Sequence, residues 1–210
     1  MFKVIPGILE QEWQVIENEI KKISLFSSVI HLDIIDGKFV DNLTFLDPQP
    51  FSKYTSDILF EVHLMVEEPA QYLESFAKAG FKRFIAQVEK MSDQSAYVKK
   101  ASSFGEVGLA LDGPTPLSML KVPWESLDVI ILFTGEQIGF SKGTLKEERL
   151  SKLTSLAKSV DKSFPLEADG GINEQTILLA KNAGASRFVS TGFIKSGDYK
   201  DQYDKLNKLL

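Results

Sequence analysis

Short apolar runs alternate along this 210-residue chain with longer stretches whose apolar residues recur at helical spacing. Several runs are almost continuously apolar, which is typical of parallel strands covered on both faces. The pattern predicts eight strands, at residues 2–5, 29–33, 58–64, 83–88, 107–111, 128–133, 165–169 and 187–191. It predicts helices at residues 11–24, 69–79, 146–160, 174–183 and 199–210.

Eight strands alternating with helical segments indicate the α/β class and favour a (β/α)8 TIM barrel, formed as a single domain by residues 1–210. A doubly wound sheet shows the same alternation and is the alternative. An internal repeat favours the barrel, because AKAGFKRFI at 77–85 resembles AKNAGASRFV at 180–189, about half the chain away. In each copy a helix ends at Ala-Gly and a strand begins at Arg-Phe, although such junctions also recur for capping reasons.

Composition narrows the classes of protein. A hydrophobic content of 43% suits a sizeable core, and a formal net charge of -5 gives no basic surplus for binding nucleic acid. The absence of cysteine excludes disulfides, thiolate-held zinc and a cysteine nucleophile. The N-terminus turns polar after Leu9, unlike a signal peptide, and no apolar run has the length of a membrane span. We therefore expect a cytoplasmic protein that binds neither nucleic acid nor membrane.

Metal-binding side chains interrupt three of the apolar runs. His31 and Asp33 are two residues apart in VIHLDII, so on a strand they point to the same face. His63 lies near the end of the third predicted strand, and Asp169 ends the seventh. Because barrel active sites lie at the carboxyl ends of the strands, the four side chains are predicted to meet there. Either histidine alone is more simply explained as a half-buried imidazole with a backbone partner.

Two imidazoles and two carboxylates suit a divalent cation. Mixed nitrogen and oxygen donors favour zinc, iron, manganese or cobalt over calcium or magnesium. We expect one divalent metal ion, with Zn2+ preferred and Fe2+, Mn2+ or Co2+ as alternatives. Such an ion would also offset the cost of burying two carboxylates. Asp36 begins an Asp-Gly turn beyond the strand and is left outside this set.

Three segments carry a family resemblance: IHLDIIDGKFVDNLTF at 30–45, FEVHLMVEEPAQYLESFAKAG at 60–80 and LEADGGINEQTILLAKNAGA at 166–185. They resemble the ribulose-phosphate 3-epimerase family, and the similarity extends over almost the whole chain. The resemblance implies a TIM barrel and a divalent metal whose ligands are His31, Asp33, His63 and Asp169. It also implies that Asp33 and Asp169 are the catalytic acid/base pair and that Met65 lines the substrate pocket.

The implied reaction inverts C3 of a ketose phosphate, with ribulose 5-phosphate and xylulose 5-phosphate as the default pair. Epimerisation beside a ketone removes a proton from one face and returns one to the other, which two opposed carboxylates can do. A metal would stabilise the negative charge of the cis-enediolate intermediate. The expected partners are a small-molecule sugar phosphate and further copies of the chain, because family members often form homo-oligomers.

The chain departs from the family's pattern mainly where the family holds the substrate phosphate. The usual Pro-Ser-Ile-Leu of the first strand has Gly7 in place of the serine, and the methionine before the sixth loop is replaced by Phe133. Gln87 stands where the family has the histidine of a His-Val-Glu sequence. The loop at 136–143 lacks a proline and a glycine pair.

Backbone N–H groups and glycines could still bind the phosphate. The candidates are Gly139, Gly170, Gly171, Thr191 and Gly192, with Lys142 adding charge. An ordinary turn explains Gly139 equally well. These departures leave two alternatives open: an epimerase for another ketose phosphate such as allulose 6-phosphate, and a non-catalytic sugar-phosphate-binding descendant. A metal-assisted hydrolase or lyase is a third alternative, because the same metal shell can also activate water.

Overall fold

Eight parallel strands form a closed barrel in a computed structural model that describes residues 2–141 and 143–210. They are β1 (Lys3–Ile8), β2 (Val29–Ile35), β3 (Leu59–Met65), β4 (Arg83–Gln87), β5 (Glu106–Leu111), β6 (Val129–Phe133), β7 (Leu166–Asp169) and β8 (Arg187–Ser190). Each strand pairs with the next, and β8 pairs with β1. The predicted (β/α)8 barrel is confirmed, and the doubly wound alternative is wrong because such a sheet would have open edges.

The described residues form six α-helices: α1 (Trp13–Ile23), α2 (Leu73–Lys78), α3 (Gln94–Ser102), α4 (Glu147–Ser159), α5 (Ile177–Asn182) and α6 (Tyr199–Lys208). The crossovers from β2 to β3 and from β5 to β6 contain short 3-10 turns, at Gln49–Lys53, Leu117–Met119 and Trp124–Ser126. Helix α3 was not among the predicted helices. Its start is fixed by Asp93, whose side chain accepts a hydrogen bond from the N–H of Ala96 at 2.9 Å.

The main core lies between the barrel and its surrounding helices. On α1, Ile16, Ile20 and Ile23 are buried because their spacing places them on one face. Under the β2 to β3 crossover, the ring of Phe51 meets the rings of Phe60 and Phe81 edge-on, each with a centroid distance of 5.6 Å. No helix in the described part of the chain is both long and apolar enough to cross a bilayer.

The barrel interior is built from alternate strand residues, because successive side chains point to opposite faces of a strand. One part of it is apolar, with separate clusters formed by Ile85, Ala110, Val129 and Ile131 and by Ile5, Val29 and Val189. The rest is polar and includes five fully buried side chains, those of His31, Glu61, His63, Gln87 and Glu167. The polar part of the interior leads to the carboxyl ends of the strands, where the candidate site lies.

Candidate active site

The four predicted ligand residues meet at the carboxyl ends of β2, β3 and β7. The β2–β3 register places Asp33 beside His63. His31 Nε2 lies 3.2 Å from His63 Nδ1 and 3.3 Å from Asp33 Oδ1. His63 Nδ1 lies 3.1 Å from Asp33 Oδ1 and 3.6 Å from Asp169 Oδ2, which is 4.0 Å from His31 Nε2. All four side chains are buried, so the predicted convergence is observed.

The spacing of these donor atoms suits a four-coordinate cation. A tetrahedral ion with bonds of about 2.0–2.1 Å to nitrogen and oxygen separates its ligand atoms by about 3.3–3.4 Å. The five distances above run from 3.1 to 4.0 Å and bracket that value. The cluster can therefore hold a divalent metal ion with two nitrogen and two oxygen donors.

Without a metal, the two carboxylates bind protons very differently. Burial raises the pKa of Asp33, but hydrogen bonds with His31 and His63 outweigh burial and hold this pKa at about 2. Burial and the adjacent charge of Asp33 raise the pKa of Asp169 to about 6. Burial lowers the pKa of His31, yet hydrogen bonds to Asp33 and Glu61 raise it well above its ordinary value. A proton must therefore leave His31 before Nε2 can bind a cation.

In each histidine ring, the nitrogen that points away from the four-residue cluster contacts a buried side chain. His31 Nδ1 lies 2.8 Å from Glu61 Oε1, and His63 Nε2 lies 3.0 Å from the side-chain amide of Gln87. Sequence reasoning noted Gln87 only as a departure from the family and gave Glu61 no role. The signal was present for Glu61, because it lies two residues before His63 and so on the same strand face.

A network of charged side chains fills the interior beside Glu61. Glu61 Oε2 accepts hydrogen bonds from Arg83 Nη1, at 2.8 Å, and from Arg187. Arg187 Nε also donates to Glu167 Oε2 at 2.6 Å. Burial and the charge of Glu61 raise the pKa of Glu167 to about 7. The spacing of His31, Glu61 and Glu167 could also suit a cation, but two guanidinium groups already neutralise this cluster.

A cavity of about 290 Å³ opens at the candidate metal cluster, and both Asp33 and Asp169 line it. Each residue predicted to contact substrate also lines it, namely Met65, Gly139, Gly170, Gly171, Thr191 and Gly192. Sequence reasoning did not predict the contributions of Leu9, Phe140, Asn173 and Phe193. The predicted contribution of Lys142 lies outside the described residues.

Two of the cavity glycines are required by the packing of the loop after β6. Gly139 has a φ of +81°, and a Cβ there would lie 2.6 Å from Val40 Cγ2. Gly171 has a φ of +76°, and a Cβ there would lie 2.1 Å from the backbone nitrogen of Leu145. The turn explanation of Gly139 therefore has a structural basis. Among residues 2–141 and 143–210, the N–H groups of Gly171 and Gly192 meet no protein acceptor, which leaves them free for a ligand.

Gly7 lies against the side chain of Thr191, which lines the cavity. Gly7 pairs in register with His31 of the adjacent strand. A Cβ at residue 7 would lie only 2.1 Å from Thr191 Oγ1. The hydroxyl of Thr191 therefore fills the space that a side chain on β1 would take.

Comparison with known proteins agrees with this geometry. A sequence model of the ribulose-phosphate 3 epimerase family matches residues 3–194. The ribulose-phosphate 3-epimerase of Bacillus subtilis (strain 168) is 31% identical over 198 residues, which cover 90% of each chain. The chain belongs to the ribulose-phosphate 3-epimerase family. The same enzyme of Buchnera aphidicola is 31% identical over 219 residues, covering 100% of this chain and 95% of that one. The protein is therefore an epimerase, an enzyme of the isomerase class.

Solved structures share the barrel of this epimerase. One is 3-hexulose-6-phosphate synthase, with a TM-score of 0.72 and 14% identity over 99% of both chains. Another is 3-keto-L-gulonate-6-phosphate decarboxylase from Vibrio cholerae, with a TM-score of 0.75 and 11% identity over 99% of this chain and 97% of that one. At such low identity the likeness shows the fold alone, because one barrel fold supports many chemistries.

Proposed function

We propose that this epimerase inverts C3 of a ketose phosphate, with ribulose 5-phosphate and xylulose 5-phosphate as its default pair. The observation that carries the proposal is the convergence of four donor atoms at the wall of a cavity that both carboxylates line. His31, Asp33, His63 and Asp169 hold one divalent ion, with Zn2+ preferred and Fe2+, Mn2+ or Co2+ as alternatives. The Bacillus and Buchnera relatives are both ribulose-phosphate 3-epimerases, which supports the choice of substrate.

Asp33 and Asp169 act as the acid/base pair. They come from β2 and β7, so they reach a substrate carbon from different sides of the barrel mouth. One ionised carboxylate removes the C3 proton, and the other gives a proton to the opposite face of the cis-enediolate. In the metal-free cluster the two carboxylates already differ, because hydrogen bonds with His31 and His63 lower the pKa of Asp33 while burial and the charge of Asp33 raise the pKa of Asp169 to about 6. A divalent cation held by His31, Asp33, His63 and Asp169 would supply positive charge that stabilises the negative charge developing on the substrate.

The remaining cavity residues bind and orient the substrate. The N–H groups of Gly171 and Gly192, which donate to no acceptor among the described residues, suit phosphate oxygens, and Gly170 and Thr191 complete this end of the cavity. Gly139 brings the loop after β6 over the cavity, and Met65 provides an apolar contact for the sugar carbons. Phe133, which replaces the family's methionine, also lines the cavity, as does Thr191, which fills the space beside Gly7. Because these differences from the family's pattern lie in the cavity, allulose 6-phosphate stays the alternative substrate.

Isotope exchange tests the proposal directly. Metal-loaded protein is incubated in deuterated water with ribulose 5-phosphate and, in parallel, with allulose 6-phosphate. We expect deuterium at C3 and formation of the C3 epimer, with a faster rate for the true substrate. Asp33→Asn and Asp169→Asn should each lower the rate by about 100-fold or more, since each removes one proton-transfer group. Asp128→Asn, at the opposite end of the barrel, is the control. Absence of exchange with both sugars would overturn the proposal.

A further inference from the structure

We infer that Glu61 and Gln87 are positioning residues, which fix the ring nitrogen that each histidine presents to the metal. The inference rests on the metal site of the proposed function. Both side chains are fully buried on strands beside the ligands, at positions where each reaches one histidine ring. Metal-binding histidines depend on such partners, because the hydrogen bond at one nitrogen determines which nitrogen is free to coordinate.

Glu61 determines the orientation of His31. Its Oε1 lies 2.8 Å from His31 Nδ1, and an ionised carboxylate can only accept, so Nδ1 carries a proton. His31 Nε2 is then the nitrogen that faces Asp33 and His63. The other oxygen of Glu61 is held by two guanidinium groups, which come from β4 and β8. Because both of its oxygens are engaged, Glu61 cannot rotate away from the ring.

Gln87 orients His63 in the opposite sense. When the amide oxygen of Gln87 faces His63 Nε2, its amide nitrogen donates to Glu89 Oε2 at 2.7 Å and to the carbonyl of Ala110 at 3.0 Å. Both ends of the amide are then satisfied, and Nε2 of His63 is the protonated nitrogen. The structure therefore assigns metal binding to Nε2 of His31 and to Nδ1 of His63.

The assignment makes a positioning role for Glu61 and Gln87 distinguishable from a role in packing alone. The two histidines use different nitrogens only because one acceptor lies beside Nδ1 of His31 and the other beside Nε2 of His63. A methionine at position 87 would keep nearly the same volume but would offer only a weak acceptor. Packing alone would tolerate that change, whereas positioning would not.

Metal affinity is the first test, measured by competition between the protein and a chelating dye for Zn2+. Gln87→Met and Glu61→Gln should each weaken binding by about 10- to 100-fold, as loss of an outer partner typically does. Gln94→Met is the matched control, because Gln94 is also a buried amide that bonds to Met119 and Lys121, but on α3 outside the barrel. Circular dichroism and melting temperature check that each variant folds.

Nuclear magnetic resonance gives a second readout that needs no variant. Long-range nitrogen–proton correlation spectra of the Zn2+-loaded protein should show a protonated Nδ1 on His31 and a protonated Nε2 on His63. The reverse assignment on either ring would overturn the inference, as would unchanged affinity in Gln87→Met and Glu61→Gln when the wild type binds Zn2+. A wild type that binds no Zn2+ would instead defeat the metal site of the proposed function.

Discussion

Replacing Gly7 with alanine tests whether the Thr191 hydroxyl fills the space beside β1. A Cβ at residue 7 would lie 2.1 Å from Thr191 Oγ1, but 3.3 Å from both Thr191 Cβ and Val189 Cγ1. The severe overlap therefore involves one oxygen atom. Overpacking by one methyl group typically costs about 1–3 kcal/mol in the free energy of unfolding. Since 1 kcal/mol shifts the melting temperature of a domain of this size by about 2–4 °C, we expect Gly7→Ala to lower it by about 2–12 °C.

A comparison of two backgrounds isolates the responsible oxygen. Thr191→Ala removes Oγ1 but keeps the Cβ, so adding Gly7→Ala to it should lower the melting temperature much less than in the wild type. Thr191→Ser keeps Oγ1, so the full loss should persist there. Thermal unfolding by circular dichroism, at one pH and with a chelator present, measures all six proteins. An equal loss in the alanine and serine backgrounds would refute the explanation.

Two further predictions concern buried charge. Arg187→Met should cost about 3–5 kcal/mol in the free energy of unfolding, because it leaves Glu167 unpaired in the barrel, and adding Glu167→Gln should recover part of the loss in urea titrations. When a chelator keeps the protein free of metal, the pKa of Asp169 is about 6 in the folded protein against 3.8 in the unfolded chain. Between these pH values the folded protein binds more protons than the unfolded chain, so the stability that Asp169 contributes is lost as the pH rises from about 4 through 6. Asp169→Asn should remove that loss, and a melting-temperature difference between Asp169→Asn and the wild type that does not change with pH would contradict the cause.

The barrel could be predicted because its strands are short, apolar and separated by helical stretches, whereas details that depend on neighbouring strands could not. The first predicted strand stopped at Ile5, since Pro6 and Gly7 disfavour strands. In the structure β1 continues to Ile8, because Pro6 pairs with Ser190 and Gly7 with His31. Helix α3 was missed because its apolar stripe is short. Its buried residues are Gln94, Tyr97, Val98 and Ala101, and the first of them is polar.

The convergence of His31, Asp33, His63 and Asp169 could be predicted for the same reason that the barrel could. Each of these residues lies near the end of a predicted strand, and barrel topology brings strand ends together. The supporting contacts follow a different rule. Arg187 and Glu61 are 126 residues apart, and only strand register and shear bring the two side chains into contact. Spacing along one strand could identify Glu61 and Glu167 as inward-facing, but it could not reveal their partners.

The internal repeat at 77–85 and 180–189 does more than end two helices and begin two strands. Its two copies place Arg83 at the start of β4 and Arg187 at the start of β8, which lie four strands apart in an eight-stranded barrel. Equivalent residues on opposite strands face each other across the interior, and both arginines bind the same oxygen of Glu61. The other oxygen of Glu61 accepts from His31. One carboxylate thus joins the buried arginines to a ligand of the candidate metal site, so a change at either arginine should alter the orientation of His31 as well as the stability of the barrel.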